Sequence, residues 1–307
     1  MTNKIIAVQG NHPSKLNPKT DTSVFLANEI QFKYKIFYYD PKDLSIVNSK
    51  VIAKGFFIKF DYKNKKFFKI IKKQRLNLEK CKFILIRQDP PFNLEYITTT
   101  YILDHIKNKV KIINDPTSIR NLSEKLFSSK YLKFMPQTIF TQNLKEIKSF
   151  FNKNKRIILK PIHSYSGNDI ILMNKFNLKI IKRFIKKHNY IMCQKFLPKI
   201  DRGDKRVFII NGKVVGAISR VPKKGSFLSN ISKGAIPKNI KLTKIELKIS
   251  KIISKDLKKE NIYFAGIDFI DQKLNGDINV TSPTGLKSFY DLSGINLAQL
   301  FWKELKA

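Results

Sequence analysis

The stretch FAGIDFIDQKLNGDINVTSPTG, residues 264–285, places two aspartates and an asparagine close together in a chain that is poor in acidic residues. It predicts two neighbouring β-strands that bear Asp268, Asp277 and Asn279, followed by a polar segment. All three side chains are expected on one face of the hairpin, because side chains alternate across a strand with a period of two. Two carboxylates and an amide oxygen suit Mg²⁺, which prefers oxygen ligands. A pair of ordinary turn or edge carboxylates is the alternative.

The turn of this hairpin is open to two interpretations. Asn275-Gly276 would close a two-residue turn and place Asp268 about 13 Å along the strand from Asn279, at roughly 3.3 Å per residue. A wider loop over residues 271–276 would set Asp268 directly opposite Asn279, which a shared metal ion requires.

The chain is strongly basic, with 60 Lys plus Arg against 23 Asp plus Glu and a net charge of +37 over 307 residues. A charge of this size is compatible with nucleic-acid binding. Arginine, which binds phosphates and base edges as a bidentate fork, is scarce, however, and the lysines are spread without a basic tail. The composition therefore predicts a solvated lysine surface and no specific nucleic-acid partner.

Other sequence features bear on the compartment. No apolar run reaches the roughly 18 residues of a membrane span, so no membrane partner is expected. The first residues predict a strand, not a signal peptide. Cys81 and Cys193 lie far apart in apolar contexts, which predicts buried free thiols in a reducing cytosol and a cytoplasmic protein.

Strand and helix signals alternate through the first third of the chain. A buried strand is predicted at residues 4–10 and a helix at 21–31. This alternation indicates an open parallel α/β sheet, in which ligands bind at the carboxyl ends of the strands. Arg87 and Asp89 follow the apolar strand that begins at Cys81, so they fall at such an end.

A second region begins near residue 121 with a helix predicted over 121–134. The expected elements that follow are two strands around a polar turn (156–173), a hairpin turned at Asn211-Gly212 (204–221), a long loop that is a lid or disordered (222–241), and a helix (243–259).

Two lysines are candidate phosphate ligands. Lys125 lies on the helix predicted over 121–134. Lys160 ends an apolar strand, where a lysine is costly unless it reaches water or meets an anion. The turn after it, which contains Gly167, can offer backbone N–H groups to phosphate oxygens. An ordinary hairpin turn is the alternative.

Arg206 and Arg220 lie on the hairpin that precedes the long loop. Each is suited to neutralise a phosphoryl group during transfer, which depends on positioning and charge stabilisation. A surface ion pair with Asp204 or another acidic residue is the alternative. Together with the lysines and oxygen donors, these arginines predict a nucleotide-driven reaction without a covalent enzyme nucleophile.

Six motifs in this order and spacing resemble bacterial glutathione synthetase, an ATP-grasp ligase, over nearly the whole chain. They are RQDPPFN (87–93), NDPTSIRNLSEKLF (114–127), ILKP (158–161), QKFLP (194–198), GDKRV (203–207) and INVTSPTG (278–285).

The resemblance implies α/β and α+β architecture in two parts. An N-terminal open parallel α/β substrate domain, the pre-ATP-grasp domain, would cover residues 1–120. A two-lobed ATP-grasp module would cover 121–307, with a smaller lobe at 121–200 and a larger lobe at 201–307. The flexible loop 222–241 would belong to the larger lobe.

The resemblance also implies the reaction. ATP would phosphorylate the carboxylate of γ-glutamylcysteine, and the amine of glycine would attack the acyl phosphate to give glutathione, ADP and phosphate. Mg²⁺ is the implied metal, with Mn²⁺ as a substitute, and a homo-oligomer is implied. The alternatives are an ATP-grasp ligase for another carboxylate and amine, or a catalytically weakened nucleotide-binding relative.

The resemblance assigns roles to residues that match the family motifs. The ATP site would comprise Lys125, Lys160, Gly167, Gln194, Lys195, Phe196, Leu197 and Asp204. The metal ligands would be Asp268, Asp277 and Asn279. Arg206 and Arg220 would stabilise the acyl phosphate. The substrate residues would be Arg87, Asp89, Ser282 and Thr284.

The sequence departs from the family pattern in four places. Asp277 stands where the family usually has glutamate, and a one-residue insertion precedes it. The glycine-rich phosphate loop is reduced to SYSGND (164–169). The long loop lacks the arginine expected near Leu228, and Lys287 stands for a family arginine. The ATP core is thus better matched than the substrate clamp.

Overall fold

The computed structural model describes residues 4–61, 64, 66–165 and 167–307. The described strands form sheets of seven, four and five strands. In chain order they are β1 (Ile5–Gln9), β2 (Lys35–Tyr39), β3 (Leu44–Val47), β4 (Lys50–Phe60), β5 (Phe68–Asn77), β6 (Phe83–Ile86), β7 (Lys111–Ile113), β8 (Thr138–Thr141), β9 (Ile157–Pro161), β10 (Ile171–Met173), β11 (Ile191–Lys195), β12 (Asp204–Ile210), β13 (Lys213–Val221), β14 (Ile236–Asn239), β15 (Phe264–Ile270) and β16 (Lys273–Asn279).

The helices begin mostly at polar side chains that cap their first turn. In chain order they are α1 (Thr22–Ile30), α2 (Leu94–Asp104), α3 (Pro116–Asn121), α4 (Leu144–Asn154), α5 (Leu178–His188), α6 (Lys244–Lys259), α7 (Leu286–Ser293) and α8 (Leu297–Glu304). Asp21 accepts a hydrogen bond from Val24 at the start of α1, and Thr243 forms a capping box with Glu246 on α6. The helices predicted over 21–31 and 243–259 are confirmed. Within the described residues, no helix has the length and apolar character needed to cross a bilayer.

The first sheet has the parallel core that the strand and helix alternation predicts. β1 lies between β2 and β6, β7 extends the sheet beyond β6, and all of these pairs are parallel. The antiparallel strands β3, β4 and β5 are added beyond β2. The strands of the parallel core are almost fully buried, as continuous apolar runs in such sheets require. Arg87 follows β6 at the carboxyl end of the sheet.

The other two sheets are antiparallel. The four-stranded sheet has the order β10-β9-β11-β8 and shares a core with α4 and α5. The five-stranded sheet has the order β14-β13-β12-β15-β16 and packs on α6. Asn211 and Gly212 turn the β12–β13 hairpin with φ values of 50° and 73°, as predicted. Cys81 and Cys193 are buried and free, also as predicted.

The N-terminal sheet and the five-stranded sheet are joined through Asn114. Its side-chain amide donates to the carbonyl oxygens of Phe264 and Val280, each at 2.7 Å. Its carbonyl oxygen accepts from the backbone N–H groups of Tyr263 and Phe264. At the other end of the chain, the indole of Trp302 in α8 donates to the Leu26 carbonyl in α1. These contacts fix the N-terminal part against the strands that carry the predicted metal ligands.

The helix predicted over 121–134 is wrong. α3 ends at Asn121, residues 124–126 form a turn, and a 3₁₀ segment covers Phe127–Phe134. The cause is tertiary, because Glu124 binds the end of β16 and the residues that follow it. The Glu124 carboxylate accepts from the N–H groups of Val280 and Thr281, and its carbonyl accepts from the Ile278 N–H. Lys125 therefore lies in a turn and not on a helix.

Two other expectations need correction. The long loop is not without structure, because it contains a 3₁₀ turn at Ile231–Lys233 and the strand β14, which pairs with β13. The β15–β16 hairpin adopts neither predicted register. Asp271 and Gln272 form its turn, and Gly266 lies opposite Asn279. An irregularity after Ile267 shifts the pairing between the two halves of the hairpin.

Candidate active site

A cleft of about 890 Å³, part of it open to solvent, lies between the four-stranded and five-stranded sheets. It brings together all of the residues predicted for ATP, metal and phosphoryl transfer. They are Lys125, Lys160, Gly167, Gln194, Lys195, Phe196, Leu197, Asp204, Arg206, Arg220, Asp268, Asp277 and Asn279. The four predicted substrate residues are not part of this lining.

Two buried lysines converge on Asp277. Lys160 Nζ lies 3.4 Å from Asp277 Oδ2 and donates to the carbonyl and side-chain oxygens of Asn275 at 2.7 and 2.9 Å. Lys125 Nζ lies 3.5 Å from Asp277 Oδ1 and donates to the Ser164 carbonyl at 2.6 Å. Of the two possibilities for Lys160, reaching water or meeting an anion, the structure shows the second.

Burial and charge act in opposite directions on these groups. Burial lowers the pKa of Lys160, although Asp277 works against that shift. Burial alone would raise the pKa of Asp277, but Lys160 and Lys125 outweigh it and hold that pKa below its usual range. Asp277 is therefore an ionised carboxylate that lies between two lysine side chains. Its contacts with them, 3.4–3.5 Å long, are longer than ideal hydrogen bonds.

A second charged network is built by strand register. Arg206 on β12 lies opposite Asp268 on β15, and Asp204 on β12 lies opposite Arg220 on β13. Arg206 holds Asp268 with two hydrogen bonds of 2.8 and 2.7 Å. Arg220 donates to Asp204 through Nε at 2.7 Å and through Nη2, which also lies 3.0 Å from Asp268. All four side chains are buried, so the predicted surface ion pair with Asp204 is instead an interior one.

The two carboxylates of this network respond differently to burial, which raises the pKa of Asp204 despite its contact with Arg220. Burial alone would raise the pKa of Asp268, but Arg206 and Arg220 hold it well below its usual range. Burial alone would lower the pKa of Arg220, and the charges of Asp204 and Asp268 raise it instead. Asp268 is consequently a fixed negative charge in the wall of the cleft.

The three predicted metal ligands meet in the cleft although both predicted registers are wrong. The Asn279 amide nitrogen lies 3.3 Å from Asp268 Oδ2 and 3.3 Å from the Gly266 carbonyl, so its side-chain oxygen is the atom suited to bind a cation. The described residues contain no group of three or more His, Cys, Asp and Glu side chains suited to a metal ion. Two carboxylates and an amide oxygen fit Mg²⁺, which completes its shell with water and phosphate oxygens.

The segment 194–197 and several isoleucines form an apolar part of the cleft lining, called here the apolar slot. Gln194 and Lys195 end β11, and Phe196 and Leu197 follow directly. The guanidinium carbon of Arg156 lies 3.9 Å from the ring centroid of Phe196 and supports that ring. Ile158, Ile170, Ile200 and Ile270 also line the cleft. A planar aromatic base is the kind of group that such a slot accommodates.

The predicted substrate residues lie at the junction with the N-terminal sheet. Arg87 is buried and donates to Ser23 Oγ at 3.0 Å and to the Pro283 carbonyl at 2.9 Å. Asp89 accepts from Asn11 at 2.9 Å and from Ser282 at 3.4 Å. The Thr284 carbonyl lies 3.5 Å from Arg206 Nη1, which connects this junction to the charged network.

Sequence reasoning missed several residues of the site. Glu124, Asn275, Phe227, Ser229 and Asn230 also line the cleft. Glu124 had a usable signal, because acidic residues are scarce in this chain and it precedes Lys125 in a family motif. Asn275 was considered only as a turn residue, and Phe227, Ser229 and Asn230 are loop residues with no distinguishing pattern.

Solved structures of ATP-grasp ligases have the same fold as this chain. The peptide-bound ATP-grasp ligase PsnB superposes with a TM-score of 0.60 at 12% identity, covering 100% of both chains. D-alanyl-alanine synthetase A from Vibrio cholerae gives 0.62 at 14% identity, covering 97% of this chain and 96% of the other. At these identities the likeness concerns the fold alone, which is that of an ATP-grasp ligase.

Sequence comparison identifies the family. Residues 5–120 match the N-terminal domain of prokaryotic glutathione synthetase, and residues 124–294 match the ATP-grasp domain of the same family. The glutathione synthetase of Agrobacterium fabrum is 33% identical over 99% of this chain and 96% of its own length. That of Brucella melitensis is 34% identical over 98% of both. The chain belongs to the prokaryotic glutathione synthetase family of ADP-forming carbon–nitrogen ligases.

Proposed function

We propose that the chain joins γ-glutamylcysteine to glycine at the expense of ATP. The carboxylate of γ-glutamylcysteine attacks the terminal phosphorus of ATP, and ADP leaves. The amine of glycine then attacks the resulting acyl phosphate, phosphate leaves, and glutathione is formed. One observation carries the proposal: in a chain of this family, two buried lysines and two buried arginines converge on carboxylates in a single cleft.

The lysines and arginines of the cleft have different proposed roles, which follow from their positions. Lys125 and Lys160 are held near the turn that contains Gly167 and are suited to bind ATP phosphates, together with backbone N–H groups of that turn. Arg206 and Arg220 are fixed by Asp268 and Asp204, so their guanidinium planes need little reorganisation when the phosphoryl group is transferred. The apolar slot at 194–197 would take the adenine.

Asp268, Asp277 and Asn279 would hold Mg²⁺, and Mn²⁺ is proposed as a substitute because it also prefers oxygen ligands. The bound ion would neutralise phosphate charge. Phosphate oxygens entering the cleft offer Lys125 and Lys160 a new anionic partner, which frees Asp277 for the metal.

Arg87, Asp89, Ser282 and Thr284 are proposed to bind the acid and amine substrates beside the cleft. We further propose a division into a substrate domain at 1–120 and an ATP-grasp module at 121–307, with lobes at 121–200 and 201–307. A homo-oligomer in the cytoplasm is proposed, and the two buried free thiols support a reducing compartment.

The test is ADP formation from Mg²⁺-ATP by the purified chain, with γ-glutamylcysteine and glycine added together and separately. Turnover that needs both, with glutathione detected by mass, supports the proposal. Turnover only with another acid and amine would replace the substrates and keep the reaction class. Nucleotide binding without any turnover would leave a non-catalytic relative and contradict the proposal.

A further inference from the structure

The loop 222–241 covers the cleft in a compact form. Residues 227–230 line the cleft, and Ser229 is buried, with 7% of its surface exposed. The Asn230 carbonyl accepts from the N–H groups of Lys233 and Ala235, at 2.9 and 3.2 Å. The side chain of Lys223 lies against Gly234, so the two ends of this part of the loop are close together.

One contact joins the loop to the smaller lobe. Gly167 has a φ of 70°, and a Cβ atom there would lie 2.6 Å from Asn230 Oδ1 and 3.2 Å from Leu228 Cδ2. This approach requires glycine, both for the left-handed backbone and for the space. The tip of the loop is therefore in van der Waals contact with the turn after Lys160.

A second contact joins the loop to the larger lobe. Ser229 Oγ donates to Asp204 Oδ2 at 2.5 Å. The same oxygen accepts from Arg220 Nη2, and the other carboxylate oxygen accepts from Arg220 Nε at 2.7 Å. Asp204 thus holds the loop and the Arg220 guanidinium at once, and Arg220 in turn contacts Asp268.

We propose that Ser229 is a positioning residue whose hydroxyl fastens the closed loop to Asp204 and, through Asp204, fixes the orientation of the Arg220 guanidinium. When the loop opens, Asp204 loses the hydrogen bond from Ser229. The orientation of Asp204, and with it that of the Arg220 guanidinium, is then less restricted. A hydrogen bond to a charged group is stronger than one between neutral groups, so the contact is worth enough to bias loop closure. The part that concerns Arg220 rests on the proposed function, whereas the loop contact does not.

Limited trypsin digestion of the full-length chain tests the loop contact without substrates. Cleavage after Lys223 or Lys224 is identified from the fragment masses, and its rate follows the population of the open loop when cleavage is slow. We expect Ser229→Ala to be cut about tenfold faster than the wild type. Ser229→Thr keeps the hydroxyl and should restore most of the protection. Ser232→Ala, an exposed serine in the same loop, is the matched control and should behave as the wild type.

Steady-state ligation kinetics test the coupling to Arg220. We expect Ser229→Ala to lower kcat about tenfold, with the KM for ATP within about twofold of wild type and an unchanged melting temperature. Equal tryptic rates for Ser229→Ala, Ser232→Ala and the wild type would overturn the loop contact. Faster cleavage with an unchanged kcat would overturn the coupling to Arg220. If the wild type forms no glutathione, the proposed function fails while the digestion still decides the loop contact.

Discussion

The cleft and the substrate junction hold their buried charges in different ways. In the cleft, Asp268 is held by two guanidinium groups and Asp277 by two ammonium groups. At the junction, buried Arg87 hydrogen-bonds to a serine hydroxyl and a backbone carbonyl, both neutral. Burial lowers the pKa of Arg87, and the charges of Asp21 and Asp89 only partly oppose that shift.

This difference indicates how each region meets its ligand. In the cleft, the charged side chains balance one another. A nucleotide and a cation are therefore expected to bind together, with the phosphates replacing the carboxylate partners of the lysines and the cation replacing the lysine partners of the carboxylate. At the junction, a desolvated cation with neutral partners gains most from an incoming carboxylate. Removing a charge should therefore impair nucleotide binding or turnover in the cleft, and mainly substrate affinity at the junction.

The largest effect is expected from Asp268→Asn. The substitution leaves Arg206 and Arg220 buried beside a neutral group and removes a proposed metal ligand. We expect kcat/KM to fall about 10³-fold and the free energy of unfolding to fall by about 3 kcal/mol. ADP formation and chemical denaturation measure the two effects. Asp271→Asn, at the exposed turn of the same hairpin, is the control. Wild-type turnover by Asp268→Asn would refute the role of this carboxylate.

A smaller effect is expected from Lys160→Met. Removing this ammonium should weaken binding of a non-hydrolysable Mg²⁺-ATP analogue about 100-fold, which corresponds to roughly 3 kcal/mol. The free energy of unfolding should change little, because the substitution also removes the cost of burying a charge. Asp277 still has its contact with Lys125. Titration calorimetry measures the affinity, and Lys175→Met, at an exposed turn, is the control. Unchanged affinity would show that Lys160 is not a phosphate ligand.

Arg87→Gln sharpens the comparison at the junction. Glutamine keeps a donor for Ser23 or Pro283 but removes the charge. We expect the KM for γ-glutamylcysteine to rise about tenfold or more, since a charged hydrogen bond contributes roughly 1.5–3 kcal/mol, with nucleotide affinity and stability unchanged. Initial-rate kinetics measure the KM, and Arg75→Gln on β5 is the exposed control. A loss of nucleotide affinity instead would contradict the separation of the two regions.

The smallest effect concerns acid stability. The folded-state pKa values of Asp268 and Asp277 lie below the ordinary value of about 3.9. Depressed carboxylate pKa values contribute stability that is present above the unfolded pKa and is lost as pH falls through the folded pKa. The melting temperature should therefore decline below about pH 4, and less steeply in Asp277→Asn than in the wild type. Identical slopes in the two proteins, measured by circular dichroism, would exclude this contribution from Asp277.

Local signals predicted much of the fold. Asp21 before α1, Thr243 with Glu246 on α6, and Asn211-Gly212 between β12 and β13 each act within a few residues, so the sequence pattern was sufficient. Strand β8 and helices α4 and α7 were not predicted from the sequence.

The errors arose where tertiary contacts overrode local signals. Asn275-Gly276 is a strong turn signal, yet Gly276 packs against Met192 and Met135, where a Cβ would lie 2.3 and 2.9 Å from their methyl carbons. The turn moved to Asp271-Gln272, both with positive φ. A tertiary contact also explains why Lys125 is not helical, because the preceding residue, Glu124, binds the end of β16 and the residues after it.

The sequence also could not predict which charged side chains of the site contact one another. Rarity indicated the arginines and aspartates of the cleft, and the position at the end of an apolar strand indicated Lys160. Which carboxylate each arginine holds depends on the register of β12 against β13 and β15, a long-range property. The roles of these residues remain proposals that the substitutions above test.

Oxygen transfer from substrate to phosphate tests the central claim most directly. The chain would be given Mg²⁺-ATP, glycine and γ-glutamylcysteine labelled with ¹⁸O in its cysteinyl carboxylate, and the released phosphate would be analysed by mass spectrometry. An acyl-phosphate pathway predicts glutathione and phosphate carrying one ¹⁸O atom, because the carboxylate oxygen that attacks phosphorus leaves with it. Glutathione formed with unlabelled phosphate, or ATP hydrolysis that needs neither substrate, would contradict the account.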